Sequence, residues 1–278
     1  MYKKSLYILL FLFLILFFTI SLCIANNYEP QMITVSAGSI TLNEEILTIN
    51  KDLEIGKYEV TNTEYINFLN RAGIPPEELY DYNEQDLMDI KDTDCLIGHN
   101  GSEYYFRGGD ISPEANESCP VIEISWYGAV VYCNWLSKQL GLTPAYNLET
   151  WKLKDSPENL EGYRLPTEDE WGYAAHGGQN YNLTTYAGSD NLDLVGWYYD
   201  NAGENVHPVG KKIPNEINIY DMSGNVKEWT NTSIDEHSRI RGGSWAYNDY
   251  YCEIEYYGTY QKKYETNHII GFRLAKTK

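Results

Sequence analysis

Residues 218–230 are the stretch that most restricts how this chain can fold. Gly224-Asn225 is a turn dipeptide, because glycine and asparagine both tolerate a positive φ. Asn225 and Glu228 bring a side-chain carbonyl and a carboxylate, which are the oxygen ligands that calcium prefers. Local chemistry therefore allows two interpretations: a hairpin or strand turn beside a buried Trp229, or part of a calcium site.

Residues 1–25 have the pattern of an export signal. Two lysines precede an apolar run over residues 6–22, and small residues, Cys23 and Ala25, occupy positions −3 and −1 of a cut after Ala25. The pattern predicts an exported protein that is secreted or periplasmic. Two alternatives stay open. The run is almost long enough to span a bilayer and could remain as a membrane anchor, or Cys23 could be lipidated, although Leu22 stands where a small residue is expected.

Residues 26–278 contain no linker, repeat or low-complexity run, so we expect one domain. The formal net charge of −19 becomes −21 without the two N-terminal lysines (−19 minus 2). Such an acidic surface repels polyanions, so nucleic acid is not an expected partner. The 26 Tyr and 7 Trp, with few aliphatic residues, predict a core of many short, irregular segments rather than long helices or a parallel sheet.

Three segments begin with a capping residue, continue with apolar residues at helical spacing and end at glycine, which predicts short helices. They cover residues 61–73, 125–141 and 167–177. Alternating or apolar runs predict strands at 31–40, 46–49, 58–60, 197–199, 240–245 and 271–274. The expected fold class is α+β: a single loop-rich domain with two or three short helices and small antiparallel sheets.

Four cysteines follow the predicted export signal: Cys95, Cys119, Cys133 and Cys252. Export makes disulfides possible. Cys95 and Cys119 flank a loop-rich segment and are the predicted pair, although sequence spacing does not fix connectivity. Cys133 lies inside the second predicted helix and is interpreted as a small buried hydrophobic residue.

Six motifs follow one another at residues 56–62, 132–137, 164–171, 221–229, 241–245 and 271–273. Their order resembles that of the formylglycine-generating enzyme family, also called sulfatase-modifying factors. The resemblance covers residues 31–275 and implies a C-type-lectin-like variant fold with bound calcium. It also implies oxidation of a sulfatase cysteine, within a Cys-X-Pro-X-Arg motif, to formylglycine by molecular oxygen and a copper ion held by two thiolates.

The same resemblance assigns the active-site positions. Ser244 matches the active-site serine, Cys252 matches the second copper-binding cysteine, and Tyr247 occupies the position of the first. A phenol is a poor substitute for a thiolate toward Cu(I). We therefore predict that the standard oxidase activity is absent. An active oxidase with copper and a sulfatase-type Cys-X-Pro-X-Arg substrate is the alternative.

The resemblance also implies two calcium sites. The first would use Asn225, Val226 and Glu228, and the second would use Asn191, Leu192 and Asn205.

The segment between Trp245 and Gly271 is rich in tyrosine. Tyrosine offers a rigid amphipathic surface for recognition, and asparagine can both donate and accept hydrogen bonds. Relatives that share the fold serve as ligand-binding scaffolds, so the resemblance implies that this segment binds a protein or a glycan. The predicted ligand-binding residues are Tyr247, Asn248, Tyr250, Tyr251 and Tyr256.

Overall fold

The computed structural model describes residues 29–42, 45–108 and 115–278. The predicted export signal, residues 1–25, lies outside these ranges. Within them, every helix is too short or too polar to cross a membrane.

The described part of the chain contains four α-helices: α1 (Asn62–Ala72), α2 (Trp126–Gln139), α3 (Glu168–Ala175) and α4 (Leu192–Val195). The first three confirm the helices predicted from capping residues and apolar spacing. The fourth was missed, because one turn of helix is too short to show a period.

The capping residues act as the sequence indicates. Thr61 accepts a hydrogen bond from the backbone N–H of Glu64, whose carboxylate accepts one in return from the backbone N–H of Thr61. Thr167 and Glu170 form the same reciprocal pair at the start of α3. Each box satisfies two backbone donors that a helix start leaves free, which fixes where the helix begins.

Within the described ranges, thirteen short strands form the sheets: β1 (Met32–Val35), β2 (Gly38–Leu42), β3 (Glu45–Ile49), β4 (Leu53–Gly56), β5 (Ile97–His99), β6 (Tyr104–Phe106), β7 (Tyr146–Asn147), β8 (Lys152–Leu153), β9 (Lys227–Ile234), β10 (His237–Arg241), β11 (Thr259–Lys262), β12 (Ile270–Gly271) and β13 (Ala275–Thr277). The largest sheet has the order β11-β10-β9-β12, and a three-stranded sheet has the order β1-β4-β13. Among the described strands only β12 and β9 pair in parallel, so the expected antiparallel α+β domain is confirmed.

Two predicted strands are wrong, one is divided, and two are too long: only residues 240–241 of the run 240–245 and residue 271 of the run 271–274 lie in strands. Residues 58–60 and 197–199 form no ladder: Val60 N–H donates to the Phe272 carbonyl (2.9 Å), and Tyr198 N–H donates to the side chain of Asn201 (3.0 Å). The run 31–40 divides into β1 and β2, which belong to different sheets. The alternation of apolar and polar residues does not show which distant segment will form hydrogen bonds with the backbone N–H and C=O groups.

The aromatic residues of α1 and α2 form the centre of the main core. Tyr65, Phe68, Tyr132 and Phe272 are buried, and their rings meet mostly edge to face, with centroids 5.1 Å apart for Tyr65–Phe68 and 5.5 Å for Tyr132–Phe272. Such contacts contribute about 0.5–1.5 kcal/mol per pair beyond burial of their area. The core is therefore aromatic, as the composition indicates.

The predicted disulfide is wrong. Cys95 and Cys119 are both buried free thiols. Cys95 belongs to the main core, whereas Cys119 packs in a separate cluster with Leu96 and Val206. Cys133 is buried within α2, as predicted.

Candidate functional site

The predicted turn at Gly224-Asn225 is present. Three of its residues have positive φ values, 58° at Asp221, 93° at Gly224 and 59° at Asn225. A Cβ atom on Gly224 would lie 2.2 Å from the Trp197 carbonyl oxygen, so only glycine fits there. The turn is followed directly by β9, which begins at Lys227.

Glu228 lies in β9 and has no exposed surface. Its two carboxylate oxygens accept hydrogen bonds from Arg273, each at 2.6 Å, and one also accepts from the indole N–H of Trp171 at 2.8 Å. Arg273 donates further to the carbonyls of Gly56 (2.9 Å) and Tyr220 (3.0 Å). This buried pair thus joins the large sheet, β4 and the turn.

Asn225 is also bonded within the protein. Its Oδ1 accepts from the backbone N–H of His207 (3.0 Å), and its Nδ2 donates to Glu59 Oε1 and to the His207 carbonyl, both at 3.2 Å. The predicted ligands Asn225 and Glu228 therefore both have protein partners. Their calcium role, and that of Val226, stays a prediction.

Two carboxylate oxygens beside this network have no hydrogen-bond partner: Glu59 Oε2 and Asp221 Oδ1. Both residues are buried. Burial, followed by the charge of Asp221, raises the pKa of Glu59 well above its usual range, and burial raises the pKa of Asp221 to about 6. Unpartnered buried carboxylate oxygens fit a cation. The described ranges hold no cluster of three or more Cys, His, Asp or Glu placed for a metal, so backbone carbonyls would have to complete such a site.

The residues of the second predicted calcium site have local roles. Asn191 accepts from the backbone N–H of Asp193 (3.1 Å) and caps α4, and Leu192 is buried. Asn205 donates to the Gly203 carbonyl at 2.8 Å. Calcium binding at Asn191, Leu192 and Asn205 stays a prediction.

Cys252 is completely buried in an apolar cluster with Tyr186, Leu192 and Val195. Its Sγ lies 3.8 Å from the Asn248 carbonyl, to which it donates. Burial raises the pKa of this thiol to about 12. The other three described cysteines belong to other clusters. The copper site that the family resemblance implies uses two thiolates, so a single protonated thiol among apolar side chains does not fit it.

Tyr247 follows the buried Ser244, whose carbonyl accepts from the backbone N–H of Tyr247 at 3.1 Å. The Nζ of Lys227 lies 3.8 Å from the centroid of the Tyr247 ring. Lys227 is only 6% exposed, and burial lowers its pKa. A cation–π contact therefore stands at the position to which the family resemblance assigns the first thiolate.

Four of the five predicted ligand-binding residues form one group. Tyr247, Tyr250, Tyr251 and Tyr256, here named the tyrosine cluster, have ring centroids 5.0 Å apart for Tyr247–Tyr251, 5.3 Å for Tyr250–Tyr256 and 5.1 Å for Tyr251–Tyr256. Tyr250 is 57% exposed. The fifth residue, Asn248, is exposed within the same segment.

The loop that carries the tyrosine cluster is held by its main chain and by buried side chains. The backbone N–H of Tyr199 donates to the Tyr247 carbonyl (2.9 Å), and that of Ile254 donates to the Thr185 carbonyl (3.0 Å). Arg241 donates to the Ile254 carbonyl at 2.7 Å. Ile254 is buried, like Cys252. None of these contacts uses the ring of a cluster tyrosine.

A cleft of about 610 Å³ adjoins this loop and was missed from the sequence. It lies between β3, α3 and residues 254–257. In its wall, Glu168 binds both Arg239 and Arg241, at 2.8 Å each. The one available signal was the alternation of the two arginines along β10, which places both on one face of the strand.

Comparison with known proteins supports the family and the fold. Residues 23–278 match the model of the sulfatase-modifying factor enzyme 1-like domain. The chain is 33% identical over 268 residues to chaperone protein LppX of Paenibacillus barcinonensis, covering 82% of this chain and 81% of that protein. It is 25% identical over 240 residues to the formylglycine-generating enzyme of Bos taurus, covering 72% of this chain and 57% of that enzyme.

A crystal structure of CarF superposes with a TM-score of 0.67 and 24% identity, covering 90% of this chain and 99% of CarF. At that identity the likeness shows a shared fold. With a family model that spans nearly the whole chain, the resemblance drawn from the six motifs is confirmed: this chain belongs to the sulfatase-modifying factor, or formylglycine-generating enzyme, family.

Proposed function

We propose that this protein is an exported family member that binds a polypeptide through the tyrosine cluster and lacks the standard oxidase activity. The observation that carries the proposal is the replacement of a thiolate pair by the contact between Lys227 and Tyr247, beside three further tyrosines whose rings meet edge to face. The buried state and raised pKa of Cys252 support the loss of copper chemistry. Export rests on the pattern of residues 1–25, with a secreted, periplasmic or membrane-anchored protein as its outcome.

A polypeptide is favoured over a glycan as the ligand. LppX, which aligns with most of this chain, carries the name of a chaperone protein, and chaperones bind other proteins. Tyrosine clusters also suit polypeptides, because each ring covers apolar area while its hydroxyl reaches backbone groups.

The proposal is tested with an array of random 15-residue peptides and a glycan array, probed with the purified protein. We expect retention on peptide spots and about a tenfold loss for the Tyr250→Ala/Tyr256→Ala variant, because aromatic anchors carry much of the binding energy at such surfaces. The matched control is Tyr105→Ala/Tyr181→Ala, which removes two exposed tyrosines elsewhere. Retention on glycans alone would show that a polypeptide is the wrong ligand. Equal losses in both variants would remove the tyrosine cluster from the proposal.

We propose in addition that calcium binds beside the turn at 221–226. The support is the pair of unpartnered buried oxygens, Asp221 Oδ1 and Glu59 Oε2, next to a turn whose backbone carbonyl at Val226 is an oxygen ligand of the predicted set. Glu228 would then act through its bond to Arg273 and keep the turn in place.

Removal of calcium should lower the melting temperature. At a free calcium concentration of 100 times the Kd, binding contributes about 2.7 kcal/mol, which corresponds to about 5–10 °C for a domain of this size. Addition of EGTA, followed by calcium, should lower and restore the transition measured by calorimetry. The Asp221→Asn variant should respond less, and the exposed control Asp155→Asn should respond as the unmodified protein does. A melting curve that EGTA leaves unchanged would disprove the calcium site.

A further inference from the structure

We infer that the polypeptide bound by this protein is a basic, extended segment, whose lysine or arginine side chains contact the exposed tyrosine rings and enter the adjoining acidic cleft. The inference rests on the proposed function and specifies its partner.

Tyrosine rings in this part of the fold already bind cations of the protein itself. Three contacts of this kind are present, with cation-to-centroid distances of 3.8 to 5.6 Å. They are Lys227 with Tyr247, Arg239 with Tyr260 and Lys262 with Tyr264. The ring face attracts a cation electrostatically, so the same surface is suited to cations from a partner.

The rings at the outer side of the loop have no such partner within the described chain. Tyr250 and Tyr257 are 57% and 65% exposed, and neither they nor Tyr251 and Tyr256 have a cation over the ring among the described residues. The chain cannot supply one locally, because residues 242–261 contain no lysine or arginine. These rings are therefore open to a cation from outside.

The cleft next to the loop adds negative charge. Its lining includes four carboxylates: that of Glu168, which binds the two arginines, and those of Glu45, Asp169 and Glu255. Glu45 and Asp169 are exposed and form no salt bridge among the described residues, and Glu255 is bonded to His176 (2.9 Å) while its side chain stays 44% exposed.

The two positive side chains of the cleft do not cancel this charge. Arg239 and Arg241 share the carboxylate of Glu168, which compensates one of the two positive charges, and the arginines hold backbone carbonyls of the loop. The three remaining carboxylates then outnumber the one uncompensated arginine. The cleft consequently favours a cation.

The shape of the cleft suits a long basic side chain. The aliphatic side chains of Ile46 and Leu47 line it together with the carboxylates, and Ile46 is 70% exposed. Lysine and arginine bury an apolar stem while their charged end reaches a polar group. Tyr257 lines the same cleft, so one extended segment could place one basic residue in the cleft and others on the neighbouring rings. The net charge of −19 also speeds encounter with a basic partner.

The test uses three fluorescein-labelled 12-residue peptides: Lys-Ser-Gly repeats, Glu-Ser-Gly repeats and a neutral Ser-Gly peptide. Binding to the purified protein is measured by fluorescence anisotropy at physiological salt. We expect the basic peptide to bind and the other two to remain free. Glu45→Gln/Asp169→Asn should weaken binding of the basic peptide about fivefold, because each removed carboxylate deletes one short-range charge contact. Tyr250→Ala should weaken it by a similar factor.

The control is Glu103→Gln/Glu149→Gln, which changes the net charge by the same amount at exposed positions outside this surface. If it weakens binding as much as Glu45→Gln/Asp169→Asn, the attraction belongs to the whole acidic protein and the inference is wrong. If the neutral peptide binds as tightly as the basic one and Tyr250→Ala abolishes both, polypeptide binding stands and the preference for basic segments fails. If Tyr250→Ala changes the binding of no peptide, the proposed function fails with it.

Discussion

Replacement of Glu228 by glutamine is expected to lower the free energy of unfolding by about 3–5 kcal/mol, because it leaves Arg273 buried without its bonded counterion. Both side chains of this pair have no exposed surface. A glutamine keeps the shape, and its amide oxygen can accept from Trp171 and from Nε of Arg273. Its amide nitrogen cannot accept from the second Arg273 nitrogen, so the loss combines the missing charge with one missing hydrogen bond. Urea denaturation followed by tryptophan fluorescence measures it.

Two further variants decide how that loss is interpreted. Glu265→Gln breaks the exposed pair with Lys262 (3.4 Å) and should cost less than about 1 kcal/mol. The double variant Glu228→Gln/Arg273→Met should recover part of the loss, because it removes the stranded charge. A loss below about 1 kcal/mol for Glu228→Gln alone would mean that Arg273 finds adequate compensation in the neighbouring carboxylates.

The second large effect concerns the chemistry of Cys252. With its pKa raised from 9.0 to about 12, the thiolate fraction near pH 8 falls by about a thousandfold, and thiolate is the reactive form. Alkylation of Cys252 by iodoacetamide in the native protein should therefore be slower than in urea by orders of magnitude, because the buried thiol is protonated and shielded from the reagent. Mass spectrometry of the alkylated peptides measures the rate at this position.

The raised pKa of Cys252 also predicts that the protein does not oxidise a substrate cysteine when copper is supplied. The protein supplied with Cu(I) and oxygen should leave the thiol of a Cys-X-Pro-X-Arg peptide unchanged. Tyr247→Cys restores the second thiol and serves as the comparison. Rapid alkylation of Cys252, or conversion of the peptide thiol to an aldehyde by the unmodified protein, would favour the alternative of an active oxidase.

The features predicted correctly from the sequence are local ones. Thr61 with Glu64, and Thr167 with Glu170, are three residues apart, so the capping box forms wherever the rest of the chain lies. The turn at Gly224-Asn225 is equally local. Strands depend on distant partners: β4 (Leu53–Gly56) pairs with both β1 and β13, at opposite ends of the described chain. The strand predicted at residues 58–60 therefore missed the segment that pairs.

In the candidate site, too, the local features could be predicted from the sequence and the features that join distant segments could not. The tyrosine cluster comes from ten consecutive positions, residues 247–256, and could be predicted as a group. The cleft needs Glu45, Asp169 and Arg239 together, and only the folded chain brings these segments into contact. The role of Glu228 was likewise hidden, because its partner Arg273 lies 45 residues further along the chain.

The way in which the tyrosine loop is anchored separates its shape from its surface chemistry. Its course is fixed by backbone hydrogen bonds at Tyr247 and Ile254 and by the buried side chains of Cys252 and Ile254. The exposed rings, such as Tyr250, are not needed for that course. Selection can therefore exchange these side chains one at a time without refolding the loop, and a single scaffold can acquire new binding specificities while its stability stays nearly constant.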